Sequence, residues 1–214
     1  MAITLLQNDL DDAWLKKLTA AGSVAVDSET MGLVVPRDRL CLVQLSAGDG
    51  QAVAVQFTNH DNPTHHHYQA PKLITLLTNP KVMKIMHYGR FDMAVFDYYL
   101  GAMAQPVYCT KIAARLVRTS TDQHGLASLV RDLLGVDMDK EKQTSDWGQA
   151  TLSSSQLAYA AADVLYLHRL KEKLEQLALR EGRTQLIEAC HQFLPTRVRL
   201  DLKGWAEMDI FAHH

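Results

Sequence analysis

Cysteine is scarce in this chain, and the three present, Cys41, Cys109 and Cys190, lie far apart and form no CxxC pair. An odd, scattered set argues against a disulfide scaffold or a cysteine zinc site and fits reduced thiols in a cytoplasm-like compartment. Long apolar runs are also missing, since nothing approaches the roughly 18–20 residues that a membrane span needs. The opening MAITLLQNDLDDAW has no basic start followed by an apolar block, so it does not read as a signal peptide. Positive charge is not in excess: 22 Lys and Arg stand against 24 Asp and Glu, for a net charge of −2. Proteins that hold long nucleic acids through many phosphates carry a basic face, so if a nucleic acid is the substrate, a short one suits this balance better than a long duplex. No internal repeat or low-complexity linker interrupts the 214 residues, of which 47% are hydrophobic. The expectation is one domain, 1–214, with an ordinary buried core.

What is present alternates. Leu10, Ala13, Trp14 and Leu18 recur at helical spacing and predict a helix over 9–21, stopped by Gly22. Ser23–Val26 predicts a buried strand leading into Asp27. Leu40–Ser46 predicts a second strand, and Ala47-Gly48-Asp49-Gly50 a hairpin turn into a third at Gln51–Phe57. Strands at 82–87 and 106–108 then alternate with helices at 71–77, 90–100 and 111–117. A helix over 125–134 stops at Gly135, and the polar stretch 137–147 reads as a loop. Ser153 and Gln156 fit a capping box that opens a long helix reaching Arg180. Gly182 breaks it, and a last helix runs to Phe193 before Pro195. Three strands followed by helix–strand alternation predict an α/β fold with a mixed sheet. The tail, 197–214, keeps Leu200, Leu202, Trp205, Ile210 and Phe211, which fits packing on the domain or at a subunit interface.

The chemistry sits in acids. Asp27 and Glu29 are two apart where the first predicted strand ends, so both carboxylates point to one face. Asp92 falls in the first turn of the helix after the strand at 82–87. Tyr159 and Asp163 are four apart on the long helix and share a face. Each feature alone has a bland reading: a helix-start Asp complements the dipole, and a Tyr and an Asp on one helix face are commonplace. Together, four carboxylates with little sulfur or imidazole suit hard, oxygen-preferring cations, Mg²⁺ or Mn²⁺. Two such ions about 3.5–4 Å apart can clamp the attacking and leaving oxygens of a phosphodiester. A tyrosine whose ordinary pKa is about 10 is a poor base at neutral pH, so Tyr159 reads as a group that orients water.

These residues carry a resemblance. VDSETMGL at 26–33, RLCLVQLS at 39–46, HYGRFDMAVF at 87–96, SDW at 145–147 and YAAADVLYLHRLK at 159–171 resemble the DEDD 3′–5′ exonuclease superfamily. The match is to its tyrosine-bearing, ribonuclease D-like branch. CTKIAARL at 109–116, HGL at 124–126, QFLP at 192–195 and LDLKGWAEMDIFAHH at 200–214 resemble, more closely still, the nanoRNase C family of short relatives. The resemblance implies a ribonuclease H-like (DnaQ-like) fold and two divalent cations, Mg²⁺ or Mn²⁺, on Asp27, Glu29, Asp92 and Asp163. It also implies release of 5′-mononucleotides from short RNA, dinucleotides in particular, by a ring-like homo-octamer. Action on longer or structured RNA 3′ ends, or on DNA, is the alternative within the same class. A non-catalytic nucleic-acid-binding protein is the alternative outside it, and the intact five-residue set argues against that.

Around this set stand supporting residues. Related enzymes wedge an apolar residue against the terminal base, which makes Leu33 the candidate, with a plain core role equally open. His87 could contact the scissile region or be a packed, hydrogen-bonded histidine. Lys111, Gln143 and Ser145 could hold a 5′-phosphate and so cap the substrate's length. Arg90 and Trp147 read as packers of the site. His65-His66-His67, within an apparent insertion at 59–70, reads as an incidental surface run rather than a metal site.

Overall fold

The computed structural model describes residues 3–58, 68–138 and 145–213. Six strands form one sheet: β1 (Ile3–Gln7), β2 (Ser23–Thr30), β3 (Leu40–Ser46), β4 (Ala52–Gln56), β5 (Met83–Met86) and β6 (Val107–Cys109), in the order β1-β4-β3-β2-β5-β6. β3 runs antiparallel to both its neighbours, while β1 with β4, β2 with β5 and β5 with β6 pair in parallel. The mixed sheet is therefore as expected. The turn from β3 to β4 works because Gly48 and Gly50 take φ of +81° and +82°, a left-handed backbone open to glycine at little cost.

Helices cover both faces. α1 (Asp12–Ala20), α2 (Pro71–Thr78), α3 (Gly89–Leu100) and α8 (Thr184–Leu200) meet one core, built from residues such as Leu18, Val24, Val26, Leu73, Phe96 and Val198. α4 (Thr110–Val117), α5 (Leu126–Leu134), α6 (Ser154–Leu165) and α7 (Leu167–Arg180) cover the other, with Ala25, Ile85, Leu129, Val164, Leu167 and Leu170. All residues of β3 and β4 are buried, because the helices leave neither face of the central strands to water. Burying one such leucine or valine contributes about 1.5–3 kcal/mol.

The structure corrects the sequence reading in three places. β1 was absent from it: ITLLQ is an edge strand, only partly buried, with no clean alternation. The long helix from Ser153 is two helices, offset at Tyr166 (φ −100°, ψ −9°), so α6 can serve the site while α7 follows the core. The last helix does not end before Pro195 but carries it inside and runs to Leu200. Proline removes one backbone donor there, and the burial of Leu194, Pro195 and Val198 holds the helix through it. The capping box is present as expected, with Ser153 accepting from the Gln156 amide and the Gln156 side chain returning to Ser153 N–H.

Candidate active site

Period-2 alternation along β2 builds the site. Val24 and Val26 join the α3 side of the sheet, whereas Ala25 joins the α6–α7 side. By the same alternation Asp27 and Glu29 face α6, where Tyr159 and Asp163 stand, and Ser28 faces α3. One ligand atom from each of Asp27, Glu29 and Asp163 lies within 4.8 Å of the others. Asp92, the fourth residue of α3, is not in that trio. It is 3% exposed and is held instead by the Ser28 hydroxyl, which donates to its Oδ1 at 2.6 Å.

The electrostatics are those of an uncompensated negative cluster. Burial, then the neighbouring carboxylates Asp92, Asp163 and Glu29, push the Asp27 pKa well up. Burial, then Asp163 and Asp92, do the same to Glu29. Burial alone lifts Asp92 to about 7 against the Ser28 hydrogen bond, and burial with the Asp92 charge lifts Asp163 to about 7. The groups that favour the charged forms are hydrogen-bond donors: Gln44, Ser28, Tyr159 and backbone amides. None of these is a cation, and buried carboxylates without a counter-charge are costly. All-oxygen donors in this arrangement fit a hard divalent cation.

Burial together with the charges of the nearby Asp163, Glu29 and Asp27 drives the Tyr159 pKa upward. The phenol therefore keeps its proton at neutral pH, in line with orientation rather than base chemistry. Its ring lies 6.1 Å from that of the buried Trp147.

Two contributors escaped the sequence reading. Gln44 stands opposite Asp27 on β3, and its Nε2 donates to Asp27 Oδ2 at 3.2 Å and Glu29 Oε1 at 3.4 Å. A lone amide inside the apolar run LCLVQLS was its signal. Ser28, between the two acids, falls by strand alternation on the face toward α3.

The supporting residues divide. Leu33 is 82% exposed, which removes its core reading. His87 Nδ1 meets Thr110 Oγ1 at 2.9 Å, and Thr110 in turn donates to the Met86 carbonyl, so His87 carries its proton on Nδ1. Burial, and then the Lys111 charge, lower its pKa to about 3, so it is neutral. The Lys111 ammonium sits 4.2 Å above the ring of Tyr88, an exposed residue in left-handed backbone at the start of α3. Ser145 is half-buried just before the anchored Trp147. Gln143 and His65–His67 lie outside the described residues.

A mixed six-stranded sheet with one reversed strand, helices on both faces and acids gathered at β2 define a DnaQ-like exonuclease of the ribonuclease H fold. Residues 3–178 match the family described as 3′–5′ exonuclease, and the chain belongs to that family. Ribonuclease D of Acidiphilium cryptum is 38% identical over 168 residues, which cover 78% of this chain and 41% of that protein. The chain thus spans about two fifths of the length of such curated relatives. Brucella melitensis NrnC is 50% identical, with a TM-score of 0.92 and both chains covered in full. That protein is also known with bound Mg²⁺ and bound to pGG, each at a TM-score of 0.91. Escherichia coli ribonuclease D, an exoribonuclease involved in structured RNA processing, is 25% identical at a TM-score of 0.76, covering 97% of this chain and 54% of its own.

Proposed function

We propose that this chain is a metal-dependent 3′–5′ exoribonuclease that hydrolyses short RNA, dinucleotides in particular, to 5′-mononucleotides. One observation carries the chemistry: half-buried Asp27 and Glu29 and buried Asp163 gather within reach of one another, with buried Asp92 alongside on α3, and the groups that favour their charge are hydrogen-bond donors and no cation. Asp27, Glu29, Asp92 and Asp163 would hold two divalent cations, Mg²⁺ or Mn²⁺. When bound, such ions activate water near neutral pH and stabilise charge on the scissile phosphate.

The chain's own groups divide the remaining work. Gln44 and Ser28 orient the acids from behind. Tyr159, protonated, orients the attacking water by its hydroxyl. Leu33, exposed three residues beyond the end of β2, wedges against the terminal base. Lys111, with Gln143 and Ser145, receives the 5′-phosphate, and His87 offers its unprotonated Nε2 near the scissile region. A phosphate held at a fixed distance from the acids favours short substrates, and the full-length likeness to NrnC bound to pGG supports that length.

The likeness to ribonuclease D supports the second reading, action on longer or structured RNA 3′ ends or on DNA. We place the whole chain in one exonuclease domain that assembles as a homo-octamer, with the apolar tail on the domain or between subunits. A cytoplasmic setting fits this reading. No helix among the described residues is long and apolar enough to cross a membrane. The test is a length series of RNA and DNA, from two to twenty residues, assayed side by side with Mn²⁺. Equal rates across RNA lengths would overturn the dinucleotide preference, and a monomer in light scattering would overturn the octamer.

A further inference from the structure

Arg90 is the second residue of α3 and Asp92 the fourth, so whatever fixes the first turn of this helix also places the acid. That turn starts poorly. Tyr88, at its head, is in left-handed backbone (φ 65°, ψ 34°) and provides no side-chain cap, and a cation at a helix N-terminus opposes the helix dipole. Arg90 is nevertheless engaged. Its Nη2 donates to Asp201 Oδ1 at 2.8 Å and to the Ala206 carbonyl at 2.9 Å, and its Nε donates to Asp201 Oδ2. Asp201 is shared with a second guanidinium, that of Arg197 in the last turn of α8, whose Nε donates to Oδ1 at 2.8 Å. Arg197 also donates to the carbonyls of Trp205, Ala206 and Met208. One carboxylate thus joins the catalytic helix, the end of α8 and the chain that follows it.

An exposed ion pair contributes little to stability, about 0–1 kcal/mol. Two forked guanidiniums closing on one carboxylate supply direction as well as energy. Asp201 and Arg197 both lie beyond residues 3–178, the part that matches the exonuclease family. We infer that Asp201, acting through Arg90, is a positioning residue for Asp92, so that the segment after α8 sets how well the acidic cluster binds a divalent cation. The inference rests on the proposed function only in taking that cluster as a cation site. Ser28 holds Asp92 from the sheet, and Asp201 holds its helix from the opposite end of the chain.

The experiment is titration calorimetry of Mn²⁺ into the metal-free full-length protein, with the melting temperature measured alongside. Asp201→Asn should weaken Mn²⁺ binding about five- to tenfold, and Asp201→Glu should recover most of it. Arg90→Lys keeps the charge but loses the fork, and should weaken binding in the same way with the melting temperature held, even if Asp201→Asn folds badly. Ser28→Ala combined with Arg90→Lys should weaken it by less than the product of the two single effects, because both act on Asp92. Wild-type Mn²⁺ affinity in a folded Asp201→Asn or Arg90→Lys protein would overturn the inference and leave the cation site standing. Absence of Mn²⁺ binding by the wild type would remove the site and the inference together.

Discussion

The Ser28 hydroxyl donates to Asp92 Oδ1 at 2.6 Å, so the residue between two acids of β2 restrains a third acid on another element. Partners that orient a metal ligand typically matter about 10–100-fold in metal affinity. Ser28→Ala is expected to weaken Mn²⁺ binding about tenfold, while Ser28→Thr, which keeps a hydroxyl on the same carbon, stays near wild type. Calorimetry on both variants checks this, and equal affinities would show that Asp92 needs no such restraint.

Acidity should govern how the protein responds to metal. Asp92 and Asp163 have an ordinary value of 3.8 and are raised to about 7 in the metal-free fold. The stability they contribute is therefore complete below pH 4 and is lost as pH rises through 7, where both must ionise while buried. A divalent cation binds the ionised forms and competes with their protons. Thermal melts should show a large stabilisation by Mg²⁺ or Mn²⁺ at pH 8 and a small one at pH 5. A shift that is the same at both values would contradict the coupling.

Tyr159, beside the charges of Asp163, Glu29 and Asp27, keeps its proton. Tyr159→Phe removes the hydroxyl and leaves the ring beside Trp147. The turnover number should fall about 100-fold, the size expected when an attacking water loses its orientation, with KM and melting temperature little changed. Single-turnover kinetics at saturating metal would separate this from weaker binding.

Leu33 offers the reverse pattern. Being 82% exposed, it contributes little to folding, and Leu33→Ala should alter stability by no more than about 0.5 kcal/mol. If it wedges against the terminal base, KM for a diribonucleotide should rise about tenfold, the loss of one modest apolar contact. An unchanged KM would return Leu33 to the ordinary surface.

Much of this was legible in the sequence, because Asp27 and Glu29 obey strand alternation and Tyr159 and Asp163 obey helix spacing, both local rules. β1 was not legible: a short edge strand is defined by its pairing with β4, which lies some fifty residues away. The bend at Tyr166 was hidden because α6 and α7 both carry helix-forming sequence, with only a backbone offset between them. Pro195 reads as a stop until its burial between Leu194 and Val198, which join the core, is seen. Gln44 and Ser28 act across the sheet and across layers, so their partners appear only when the strands are in register.

The most direct test of the central claim is hydrolysis of an end-labelled diribonucleotide by the wild type and by Asp163→Asn, each with Mn²⁺ and with excess chelator. The predicted result is release of 5′-mononucleotides by the wild type with Mn²⁺ alone, and a folded Asp163→Asn protein with no measurable activity. Hydrolysis that survives chelation, an active Asp163→Asn variant, or a wild type inert on every oligonucleotide would contradict it.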